Sequence, residues 1–187
     1  MTFVPPTITT KKVVDDHVSM SYTVSVSNSF VVIVISSGQY RINTVTPPAG
    51  FTQLELKNGP DGYESVYIAV CSAQAAGTYT VSATGPSGGY TEFSLAAYVF
   101  VPGTYSYSSK SVSSSSSPLS LTMDSGYDYY IFGGGSGYQT MTLHTTTVDV
   151  SGILSAVGHQ STVTASITNS PTGVSLVLGG FEIKRTG

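Results

Sequence analysis

Tryptophan is absent from this 187-residue chain, and cysteine occurs once. A lone Cys71 cannot form an internal disulfide, so a disulfide framework is excluded. It lies in the apolar run VYIAVC, where a buried, inert thiol is expected. Charge is scarce as well: Asp, Glu, Lys and Arg make up 9% of the residues, against about 25% in ordinary soluble domains. Only seven residues are Lys or Arg, and the net charge is −3. Neither Lys11-Lys12 nor Lys184-Arg185 is large enough to neutralise a phosphate backbone, so no direct nucleic-acid partner is expected. Long hydrophobic runs are missing too. The most apolar stretch, FVVIVI at Phe30 to Ile35, is far too short to span a bilayer as a helix. The opening MTFVPPTITT has neither the basic nor the apolar region of a secretory signal. Asn28, Asn43, Asn58 and Asn169 all lack Ser or Thr two places on, which excludes an N-glycosylation sequon. No long stretch carries a helical period.

What remains is strand chemistry. Hydrophobic residues amount to 40%, and the chain carries thirteen Tyr and seven Phe beside many Val and Ile. These residues fit pleated, half-buried surfaces, so low charge here goes with a folded all-β chain rather than with disorder. Strands are expected at HVSMSYTVSV, FVVIVIS, YRINTVT, FTQLELK, YESVYIAVC, GTYTVSAT and TEFSLAAYVFV. A second series follows: SLTMDSGYDYYIFG, YQTMTLHTTTVDV, ILSAV, STVTASIT and VSLVLGGFEIK. Gly, Pro, Asn and Ser clusters divide them at the regular spacing of a sandwich or barrel.

The two series match in order. At an offset of 99, Lys11 meets Lys110, Met20 meets Leu119 and Val24 meets Met123. Further on, TYTVSAT parallels TVTASIT, and SLAAYVF parallels SLVLGGF, at a shorter offset. A duplication accounts for that order. The expectation is two tandem antiparallel β-sandwiches, jelly-roll or immunoglobulin-like, over residues 1–102 and 103–187; the alternative is one larger jelly roll. Val101-Pro102-Gly103 is then the linker, because Pro cannot donate to a ladder and Gly lets the chain turn. Ser113 to Ser117 becomes a loop or irregular edge inside the second unit rather than a stalk.

Chemistry-bearing patterns are thin. Asp15-Asp16-His17 could meet a metal only from a loop, since neighbouring strand residues point to opposite faces. Asp124 and Asp128 flank Gly126, too few acids for a calcium loop. His144 and His159 stand apart, no G-x-S-x-G elbow occurs, and GGGSG (Gly133 to Gly137) lacks the lysine of a P-loop and reads as a break between strands. No enzyme activity, metal or cofactor is expected. Tyrosine is the remaining signal. In YDYY, Tyr127 and Tyr129 share one strand face and Tyr130 the other; all three are candidates for a subunit interface, which Tyr suits with its broad apolar ring and polar tip. The N-terminal stretch, with Phe3, Pro5, Pro6, Ile8 and Val13, is a candidate extended arm able to add a strand to a neighbour's edge.

Low charge combined with SFVVIVISSGQY and ESVYIAVCSAQAAGTYTVSAT…SLAAYVF resembles the jelly-roll capsid, penton and turret proteins of crenarchaeal thermoacidophile viruses. The resemblance implies a non-enzymatic structural protein of the virion that forms homo-oligomers and touches other capsid or surface proteins. A filament subunit at the archaeal cell surface, and a carbohydrate-binding or adhesin module with a glycan receptor, are the alternatives; these would be extracellular. Scarcity of carboxylates suits an acidic exterior, since few ionised acids leave little stability for protonation to remove.

Overall fold

In FVVIVI every residue is apolar rather than every second one, and the strand that contains it is buried along its whole length, Ser29–Gly38. Such a run suits a strand with both faces covered. The fold explains how. The computed structural model describes residues 5–136, 140–144, 147–152, 155–160, 162–170 and 175–187. Phe3, Tyr138, Ile153 and Leu154, and residues 171–173 of an expected break, lie outside them.

All described secondary structure is strand. The first series is β1 (Thr7–Val14), β2 (His17–Val24), β3 (Ser29–Gly38), β4 (Thr44–Thr46), β5 (Thr52–Asn58), β6 (Ser65–Gln74), β7 (Gly77–Thr84) and β8 (Glu92–Phe100). The second is β9 (Tyr105–Ser114), β10 (Leu119–Thr122), β11 (Asp128–Gly135), β12 (Thr140–His144), β13 (Thr147–Ser151), β14 (Ser155–Gln160), β15 (Thr164–Ser170) and β16 (Leu176–Arg185).

Each series makes one five-stranded and one three-stranded antiparallel sheet. The orders are β1-β8-β3-β6-β5 with β2-β7-β4, and β9-β16-β11-β14-β13 with β10-β15-β12. Strand for strand the second series repeats the first. Within each, the pairs nest: β1 with β8, β2 with β7, β3 with β6, then β9 with β16, β10 with β15, β11 with β14. That nesting is the pairing of a jelly roll. It departs from one at the last pair, where β5 joins the edge of β6 instead of β4.

Three apolar layers hold four sheets together. Val31, Ile33 and Ile35 face the three-stranded sheet of their own half, against Met20, Tyr22 and Val81. In the second half Ile131 and Leu178 face Leu121 and Ile167 of the three-stranded sheet in the same way. Between them, Phe30, Val32 and Val34 point the other way and meet Tyr130, Phe132, Val177 and Phe181 of the second five-stranded sheet. The molecule is thus a stack of three, five, five and three strands, and its middle seam is as apolar as either sandwich core. Across the seam β3 faces β11, β8 faces β14, β6 faces β16, β1 lies beside β13 and β5 beside β9. Under the repeat, β14 corresponds to β6 and β16 to β8, so the facing is reciprocal. The halves are therefore related by an approximate two-fold axis running along the seam, as in an isologous dimer.

SLTMDSGYDYYIFG and YQTMTLHTTTVDV, each expected as one strand, are each two strands in different sheets, β10 with β11 and β12 with β13. Two further expectations need correction. Gly133 to Gly135 of the GGGSG run are not a break but the end of β11. A Cβ on Gly134 would sit 2.0 Å from the Ser37 carbonyl oxygen; glycine lets the two inner sheets touch there, and Gln39 N donates to Gly135 O at 3.2 Å. The second concerns β9, YSYSSKSVSS, a strand whose serines give little strand signal in the sequence. Its serines have a use: Ser108 and Ser111 donate to the carboxylates of Glu182 and Glu55.

Candidate functional site

Polar residues enter the middle seam at one end, and the three acids there, Asp61, Glu64 and Glu92, all come from the first half. Glu64, just before β6, is fully buried. Its carboxyl fills the space that Gly59 leaves open, where a Cβ would overlap it, and it accepts from the Ser175 hydroxyl of the second half. Asp61 stands beside it and accepts from Ser136 Oγ at 3.0 Å and from the Tyr63 amide at 3.2 Å. Burial opposes ionisation of Asp61, but hydrogen bonds from Glu64, Ser136, Tyr63 and Ser175 outweigh it and lower its pKa. Burial pushes Glu64 up to about 8, and the Asp61 hydrogen bond and charge push the same way, against the Ser175 bond. Glu64 Oε2 is buried with no donor to accept from. Carrying the proton, it becomes a donor to Asp61, so the two carboxyls share one proton at neutral pH.

The other side of the same end repeats the plan with different residues. Glu92 Oε1 accepts from the Ser155 amide at 2.9 Å and the Ser155 hydroxyl at 3.2 Å. Ser94 Oγ lies 2.8 Å from Ser155 Oγ, and Ser36 Oγ donates to Ala156 O at 3.0 Å. Gly152 gives Glu92 its room, as Gly59 does for Glu64. In both sockets a glutamate of the first half meets a serine of the second.

The opposite end of the seam is aromatic. Phe30, Tyr98, Phe100, Tyr105, Tyr130 and Phe181 belong to or pack against the middle layer, with Tyr98 and Tyr130 ring centroids 4.3 Å apart. Tyr98 donates to Asp149 Oδ2 at 2.6 Å. His159 Nδ1 lies 2.9 Å from Asp149 Oδ1. Because the carboxylate accepts, the hydrogen between them sits on His159 Nδ1. Asp149 is 6% exposed and His159 39%, so the buried acid orients a half-exposed imidazole. His159 borders a cavity of about 230 Å³ together with Pro5, Pro6, Ile8, Asp128, Tyr129, Tyr130 and Gln160. Burial raises the pKa of Asp128. Among the described residues no three His, Cys, Asp or Glu converge on a metal position.

The sequence candidates are placed as follows. Pro5, Pro6 and Ile8 border that cavity, and the structure brings them to Tyr129 and Tyr130 of the second half. Ile8 and Val13 belong to β1, which pairs with β8 of its own chain from Thr7 to Val14. Tyr129 and Tyr130 are 2% and 4% exposed; they pack inside the chain, the Tyr129 hydroxyl donating to Asp124 O at 2.5 Å. Tyr127 is half-buried against the second sandwich core. Asp15 and Asp16 form the β1–β2 turn, half-buried Asp16 accepting from the Gly88 amide through Oδ2 at 3.4 Å, and His17 opens β2 on an exposed face. Asp124 pairs with Lys110 at 2.7 Å. Cys71 is buried and free.

Sequence reasoning missed Asp61, Glu64, Glu92 and Asp149. One signal was present: Glu64 and Glu92 each stand at the head of a largely apolar run, where an acid is costly unless something awaits it. Their serine partners lie 111 and 63 residues away and could not be picked out among so many serines. Comparison with protein-family models, curated proteins and solved structures returned no match.

Proposed function

We propose that this chain is a non-enzymatic structural subunit of a virion shell, a capsid, penton or turret component, that self-assembles through its sandwich surfaces in an acidic exterior. One observation carries the reading. None of the six strands in the two outer sheets contains Lys, Arg, Asp or Glu. Their outward positions are hydroxyls: Ser21, Thr23, Thr78 and Thr80 on one pole, Ser120, Thr122, Thr142 and Thr164 on the other, all exposed. Depletion of charge is the compositional mark of an interface centre, and apart from the exposed His17 and His144 these faces carry no group that acid would protonate. The nested jelly-roll pairing supports the reading by analogy only, since that fold also serves lectins and cupins. Open edges add means of contact: β1, β5, β9 and β13 each pair on one side only among the described residues.

Light scattering of the purified chain at neutral and acidic pH tests this. A closed oligomer or polymer is expected, and Thr80→Lys, which puts a charge at the centre of one pole, should dissociate it without unfolding the sandwich. A strict monomer at both pH values would remove the self-assembly claim.

A further inference from the structure

Three loops meet at the surface above the Asp61–Glu64 socket. They carry Tyr40 and Arg41 after β3, Asp61 to Tyr63 before β6, and Pro86 to Tyr90 before β8. Between them lies an open groove of about 350 Å³ bordered by Tyr40, Arg41, Asp61, Gly62, Tyr63 and Pro86. Tyr63 is 51% and Tyr90 70% exposed, whereas the tyrosines of the seam are buried. The Tyr40 and Tyr63 rings stand 6.2 Å apart at 71°, an edge-to-face pair in the wall of the groove. Arg41 is exposed, and its guanidinium has no ion pair or side-chain hydrogen bond among the described residues.

The groove is held rather than loose. Gly62 N donates to Gly59 O at 3.1 Å and Gly59 N to Glu64 O at 3.0 Å, closing the loop on itself. Ser136 fixes the Asp61 carboxylate at 3.0 Å from the other half of the molecule. Gly89 allows Tyr40 to lie against the third loop, where a Cβ would come within 3.2 Å of the ring. A preformed wall lowers the ordering cost of binding.

From these elements we infer that the groove is a binding site for a neutral saccharide unit. Exposed Tyr faces offer the apolar stacking surface that the C–H side of a sugar ring seeks. Arg41 supplies up to five donors and Asp61 an anionic acceptor for hydroxyls. The guanidinium and the carboxylate balance in charge, which favours a neutral polyol over an anionic or cationic ligand. A volume of this order is that of a small ligand site and holds one or two sugar rings. The inference is independent of self-assembly; it holds for a monomer or for a shell.

The test is amide-resolved NMR of the full chain titrated separately with cellobiose, maltose, mannobiose and N,N′-diacetylchitobiose. At least one should give saturating shifts confined to residues 40–41, 61–63 and 86–90, with a Kd on the order of 1 mM, as expected for a shallow site. Tyr63→Ala and Arg41→Gln should each weaken that binding tenfold or more while the remaining spectrum, and the mass in solution, stay unchanged. No saturating shift with any of the four, shifts outside these loops, or binding only to an acidic sugar such as galacturonate overturns the proposal.

Discussion

Replacing Glu64 with Gln should flatten the pH dependence of stability. In the native protein Glu64 keeps its proton to about pH 8, while the unfolded chain releases it near the ordinary 4.5. Between those values the native state binds one proton more than the unfolded state, so stability falls as pH rises, by about 1.4 kcal/mol per unit. Below the window the contribution is intact; above it the loss is complete. From pH 5 to pH 8 the loss is about 2–4 kcal/mol once some screening at the loop beside Asp61 is allowed for. For a chain of this size that is roughly 5–15 °C in Tm. Gln reproduces the protonated acid: its oxygen accepts from Ser175 and its amide donates to Asp61. Glu64→Gln should therefore match the native protein at pH 5 and exceed it at pH 8. Asp61, whose pKa is lowered, contributes stability above the ordinary carboxylate range that is lost only in stronger acid, outside this window. Asp128 is raised by burial and acts with the same sign as Glu64, so Asp128→Asn is the control to subtract. Urea titrations at pH 5, 6.5 and 8 read the effect. A native stability that rises from pH 5 to 8, or a Glu64→Gln variant with an undiminished slope, would refute the shared-proton account.

Further outcomes follow from the seam. Gly134→Ala places a Cβ 2.0 Å from Ser37 O and should cost about 2 kcal/mol or more, read as a lower urea midpoint. Tyr98→Phe removes one donor from buried Asp149 and should cost about 1–3 kcal/mol. Combined with His159→Gln it should depart from additivity in a double-mutant cycle, since both partners bind the same carboxylate. Thr80→Lys should leave the urea midpoint within about 0.5 kcal/mol while lowering the mass seen by light scattering.

The repeat was legible because matching burial patterns leave matching letters. Met20, Tyr22 and Val24 face inward in β2, as Leu119, Leu121 and Met123 do around β10, and the offset of 99 aligns them. Likewise Val81 and Ala83 answer Ala165 and Ile167. What the letters left open was which face of which sheet met the other half. FVVIVI announced burial on both sides, but covering by a second sandwich and covering by a neighbouring chain read alike. The same ambiguity governed Tyr129 and Tyr130: a large amphipathic ring suits an interface and a core alike, and here Tyr130 packs in the middle seam and Tyr129 in the second sandwich core. Asp149 was hidden for another reason. Its partners Tyr98 and His159 sit 51 and 10 residues away, and only the stacking of β8 on β14, with β13 at its side, brings them to one carboxylate.

The approximate dyad has a consequence for what the two halves are free to become. Two identical chains meeting across such an axis must each bring the same residues, so every acid at the seam would appear twice and every socket would need its own serine in both copies. Here both glutamates belong to the first half and both serine partners to the second, a division of donor and acceptor roles that identical chains cannot adopt. Covalent linkage also makes the contact intramolecular, so dilution does not loosen it. The seam can carry a proton-sharing acid pair on one flank only, and a single polypeptide keeps that asymmetry at any concentration.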